Sequence, residues 1–96
     1  MSPENKIKLN LLRKKLDKLD NKLLSIFKTR TEIIKQVISL KSNKSEIVDK
    51  KRIAFILRKI KKASIKRKID PTITNKIWKN MIWSYIGFEK KLFKKK

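Results

Sequence analysis

The sequence predicts an all-α protein of three helices, long, short and medium. Two observations carry that reading: an unbroken helical rhythm of apolar residues through the first forty positions, and two acid-led helix starts in the remainder. Leu9, Leu12, Leu16, Leu19, Leu23, Ile26, Ile33, Val37 and Leu40 follow one another by alternating steps of three and four, and only Arg30, in the gap between Ile26 and Ile33, interrupts the seam. A helix from about Ile7 to Ser42 would run about 54 Å. That exceeds the width of a compact domain of this size, so a second chain is expected to cover the overhang.

The stretch "SNKSEIV" has no helical period. Asp49 then caps a second helix with Ile53, Ile56, Leu57 and Ile60 on one side, ending near Lys66. Asp70 followed by Pro71 starts a third, which runs to about Phe93, and the terminal "KKK" is expected to fray. Residues 1–96 read as one domain, without repeats, a glycine-rich phosphate loop or a linker.

Composition narrows the chemistry. Cysteine and histidine are both absent, which excludes disulfides, thiol chemistry, Cys/His metal sites and any Ser-His-Asp arrangement. No apolar stretch is long enough to span a membrane, and "MSPENKIK" carries no export signal, so a cytoplasmic location is expected. The formal charge of +21 invites a nucleic-acid reading, but the lysines fall on every predicted exposed face rather than along one stripe interleaved with aromatics. Because 24 of the 29 basic residues are lysine and 5 are arginine, each arginine is a candidate for work that lysine does poorly.

Several charged residues sit where apolar ones are expected. Arg30 in the seam would bury a guanidinium, which needs an anion: Glu32, Asp49, a ligand, or else escape along its own stem. Lys41 lies eleven residues on, about 20° around the helix and about 16 Å along it, a gap suited to a small dicarboxylate. Arg13 borders the seam about 42 Å from Lys41. It could only reach that site from an antiparallel partner chain, and an exposed pair with Asp17 explains it equally. Arg52 borders the apolar side of the second helix, where an arginine is usually solvated. On the third helix Trp78, Ile82 and Tyr85 recur at helical spacing, and the row continues with Glu89 and then Phe93. A carboxylate in such a row should have a raised pKa unless a cation offsets the desolvation, and a salt bridge to one of the lysines is the plainer alternative. Gly87, the single glycine, would leave space beside that row or permit close helix packing.

These residues resemble the all-helical (type II) chorismate mutases. "LRKKLDKLDNKLLSIFKTR" followed by "VISLK" places Arg13, Asp17, Asp20, Arg30 and Lys41 in the register of that family's opening helix. Asp49 and Arg52 in "DKKR" match its Asp-x-x-Arg, and in "IWKNMIWSYIGFE" Tyr85 falls on a usual Ser and Glu89 on the usual Gln or Glu. The resemblance implies an intertwined homodimer with sites shared between chains. It implies the Claisen rearrangement of chorismate to prephenate, a step of the shikimate pathway towards phenylalanine and tyrosine, with no cofactor and no metal. Arg13 of one chain and Arg30 of the other would grip the substrate carboxylates, Lys41 and a protonated Glu89 would face the ether oxygen, and Asp49, Arg52 and Tyr85 would complete substrate binding. Partners are then a small dicarboxylate and a second copy of the chain, with neither nucleic acid nor membrane. Ile53, where many mutases carry Glu, and Tyr85 also resemble the related isochorismate-pyruvate lyases, which make salicylate on the same fold. A basic helical nucleic-acid-binding protein is the third class.

Overall fold

The computed structural model describes residues 1–93, and all regular structure among them is helical. Helix α1 spans Pro3–Ser39, α2 Lys50–Lys66 and α3 Pro71–Leu92, with a single 3-10 turn, Lys44–Glu46, between the first two. The expected fraying of the terminal lysines lies outside the described residues. The chain divides into two compact units, Met1–Ile33 and Ile34–Lys96, and each is described by itself.

In the first unit α1 begins four residues earlier than the apolar rhythm implies, for a local reason. Ser2 accepts a hydrogen bond on Oγ from the Asn5 amide (3.1 Å) and its carbonyl accepts from the Lys6 amide (3.0 Å), while Pro3 and Glu4 occupy the first turn. This is a Ser-Pro start, with a side-chain cap and a proline that has no amide to satisfy. The seam is helical as expected, yet its side chains remain open to solvent: Leu12, Leu16, Leu19, Leu23 and Ile26 are each at least half exposed.

The second unit holds the core. Ile38, Ile47, Ile82 and Ile86 form a buried cluster, with Val48, Ile53, Ile56, Leu57 and Phe93 packed against it. Helix α1 stops at Ser39 rather than Ser42, because its last turn tightens: the Leu40 amide donates to the Val37 carbonyl (3.1 Å) and the Lys41 amide to that of Ile38 (3.2 Å). Lys41 therefore lies beyond the helix, and the azimuth computed for it from an ideal helix does not apply.

The starts of α2 and α3 follow the sequence reading. Asp49 caps α2 by accepting from the Arg52 amide (2.9 Å), and Asp70 caps α3 by accepting from the Thr72 amide (2.9 Å) and the Thr72 hydroxyl (2.7 Å), with Pro71 the first helical residue. Those two bonds to Thr72 hold the Asp70 carboxyl below its usual value. Between α2 and α3 the chain reverses through Lys68, whose φ of 58° is left-handed, and the Ile69 amide reaches back to the Ser64 carbonyl (2.9 Å). Ser64, buried, bonds the Thr74 hydroxyl across the two helices at 2.7 Å, which fixes the register of their packing.

Candidate functional site

In the second unit Lys41 lies within electrostatic reach of Glu89 and lines a cleft with Asp49, while Arg52 follows Asp49 by one turn of α2. Helix α3 turns Ile82, Ile86 and Glu89 inward, with Trp78, Tyr85 and Phe93 half-buried at the margins of that row. Glu89 is 8 % exposed, and its burial pushes the carboxyl above the usual range, opposed by the positive charge of Lys41. The sequence reading anticipated both the shift and its opponent. The upward shift favours the protonated carboxyl, the form that can donate a hydrogen bond, while the Lys41 ammonium favours the carboxylate.

Lys41, half-buried, also lines an open cleft of about 590 Å³ with Glu46, Asp49, Lys50 and Lys51. Asp49 is exposed and committed through Oδ1 to the α2 cap, so its free capacity is the second carboxylate oxygen. Arg52, one turn on, is exposed and places its guanidinium carbon 5.4 Å from the centre of the Phe55 ring. This cation–π contact restrains the side chain without occupying its donors. Tyr85 lies one turn before Glu89, and its ring meets Phe88 edge to face at 6.4 Å. Ile53 packs against the apolar cluster. Gly87 is exposed, and a Cβ built on it would meet nothing within 4 Å. It is some 160° around α3 from Glu89, so it does not open space beside the inward row.

Arg13 and Arg30 belong to the first unit. Arg13 is exposed and Arg30 half-buried, and they are about 26 Å apart along α1. Both guanidinia of one chain cannot reach a single small dicarboxylate over that span. The 3-10 turn is an ordered element that the sequence reading missed. Asn43-x-x-Glu46 is a capping pattern, and it was the available signal for ordered structure in "SNKSEIV".

The described residues thus form an all-helical fold with a cleft lined in part by Lys41, Lys50 and Lys51, and with a buried Glu89 whose raised carboxyl pKa is opposed by Lys41. The family is specific: the model of chorismate mutase type II matches residues 12–90, and the chain belongs to that family. No curated protein and no solved structure matches the chain. Among the described residues no helix is long and apolar enough to cross a membrane.

Proposed function

We propose that the protein is a chorismate mutase, an isomerase that converts chorismate to prephenate for the synthesis of phenylalanine and tyrosine. The observation that carries this reading is a buried Glu89, its carboxyl pKa raised by burial and opposed by the charge of Lys41, in a chain of the type II family. In the rearrangement the ether C–O bond breaks as a C–C bond forms, and no atom enters or leaves. Catalysis then consists of holding the reactive conformer and stabilising negative charge on the ether oxygen. Lys41 and neutral Glu89 are the two donors to that oxygen. Arg30 and Arg13 of the partner subunit bind the carboxylates, for which the planar guanidinium fork is suited. Asp49, Arg52 and Tyr85 line the remainder.

The working form is a homodimer in which the two α1 seams cover one another. Eight seam residues, Leu12, Leu16, Leu19, Leu23, Ile26, Ile33, Val37 and Leu40, are 41–79 % exposed in the chain alone. Covering them is worth a gross ~6–12 kcal/mol per chain at the usual value for burying a leucine or isoleucine. Counted for both chains, that exceeds much of the range estimated for the entropy of association. Antiparallel pairing also supplies the second arginine that one chain cannot bring to its own site.

Ile53 favours one competing reading. Its side chain belongs to the core and cannot bind a substrate hydroxyl, a feature shared with lyases that remove pyruvate from isochorismate. Incubating the purified protein with each compound separates the two: prephenate from chorismate is expected, and salicylate with pyruvate from isochorismate would replace the mutase assignment. Turnover of neither, with tight saturable DNA or RNA binding at physiological salt, would move the protein to the nucleic-acid class.

A further inference from the structure

We propose that Glu46 is a positioning residue, anchoring the connection between α1 and α2 so that Lys41 is held towards the site it shares with Asp49 and Glu89. Lys41 lies between two fixed points. Its own amide is bonded to Ile38, which is buried in the apolar cluster, and Ile47, 3 % exposed, re-enters the same cluster six residues later. The intervening residues 42–46 are all exposed, so apolar burial does not fix their path.

Hydrogen bonds fix it instead. Glu46 accepts on Oε1 from the Asn43 amide (3.1 Å), while the Glu46 amide donates to the Asn43 carbonyl (3.0 Å) and the Ile47 amide to that of Lys44 (3.2 Å). The first is charge-assisted and is made by a side chain, so it is the one that a substitution can remove. Glu46 also lines the cleft with Lys41, Lys50 and Lys51, where a carboxylate opposes the entry of a dianion. A direct role in substrate binding is therefore disfavoured on charge, and holding the turn accounts for the residue.

The kinetic arm of the test rests on the mutase reading, and the spectroscopic arm does not. Glu46→Ala, Glu46→Gln and Glu46→Asp are prepared in the full chain, with helicity checked by circular dichroism. The Glu89 carboxyl is followed by ¹³C NMR and assigned with Glu89→Gln. In Glu46→Ala, kcat on chorismate should fall roughly ten- to a hundredfold, the scale of a reacting group misplaced by about 1 Å, with a smaller change in KM. The Glu89 titration should move to higher pH as the opposing ammonium withdraws. Loss of the Glu46 charge alone would move it the other way. Glu46→Gln keeps the acceptor but not the charge, so kcat should stay close to wild type and the Glu89 titration should not rise, whereas Glu46→Asp keeps the charge, lacks the reach, and should follow Glu46→Ala; it carries the test should the alanine variant not fold. A Glu89 titration unmoved or lowered in Glu46→Ala, or a Gln variant as impaired as the Ala variant, overturns the proposal. Wild-type protein that turns over neither chorismate nor isochorismate would defeat the functional reading, and the NMR titration would still decide the role of Glu46.

Discussion

Leu19 lies in the middle of the α1 seam and is 54 % exposed in the chain alone. Leu19→Ala removes three carbons, worth roughly 2.4 kcal/mol if fully buried, of which about 1.3 kcal/mol is still to be gained by covering the exposed part. A two-fold dimer uses the residue twice, so the substitution should weaken association by about 2.6 kcal/mol, or roughly 80-fold in Kd. Within one chain the change costs less, about 1.1 kcal/mol for the part already covered, offset in part because alanine is the better helix former. Sedimentation velocity over a concentration series measures the Kd, and thermal unfolding should depend on concentration in the wild type. Lys14→Ala, on the face of the same helix opposite the seam, is the control and should leave the Kd in place. A compact wild-type monomer at micromolar concentration, or a Leu19→Ala dimer of unchanged affinity, would refute the assignment of this face to a second copy.

If each site takes Arg13 from one chain and Lys41 from the other, inactive Arg13→Ala and Lys41→Ala proteins should regain activity when mixed and refolded. Heterodimers that form without any recovery would remove Arg13 from the site. Because burial raises the Glu89 pKa above the ordinary 4.5, its contribution to stability is intact below that value and lost as pH rises through the raised one, and activity should decline over the same limb. Glu89→Gln should flatten both declines, while Glu89→Ala should cost a few kcal/mol of transition-state stabilisation; a flat wild-type profile would exclude a protonated donor. Lys68, at φ 58°, bears a side chain where glycine is preferred, so Lys68→Gly should stabilise the fold by about 1 kcal/mol, read as a rise in Tm of several degrees. An unchanged or lowered Tm would contradict it.

Which features were legible in the sequence follows from the range of the interactions behind them. Asp49 and Asp70-Pro71 announce the starts of α2 and α3 because a cap is a bond between a side chain and an amide two or three residues away, and that information is wholly local. Ser2-Pro3-Glu4 carries the same information and was passed over in favour of the apolar rhythm, which starts later. Ile47 was not legible as core: it stands in a stretch without period and is buried by Ile38, Ile82 and Ile86, none closer in sequence than nine residues. The inward row of α3 was read correctly at Ile82 and Glu89, but the step to Ile86 was missed because the row drifts around the helix towards Trp78 on one side and Phe93 on the other.

The candidate residues are legible to different degrees. Glu89 stands out in the sequence because it violates its surroundings, a carboxylate among aromatics, whereas its pairing with Lys41 comes from the resemblance to the mutase family and not from the helical pattern. Arg13 violates nothing in its own chain. It is exposed and has an acidic neighbour one turn away at Asp17, so nothing in its own chain marks it as functional. If the site is divided between two copies, as proposed, one half looks misplaced and the other ordinary, and single-chain physical reasoning finds only the first. An independent mismatch supports the proposal, the eight seam side chains left open to water. In the proposed dimer an antiparallel copy of α1 would cover them and carry Arg13 with it.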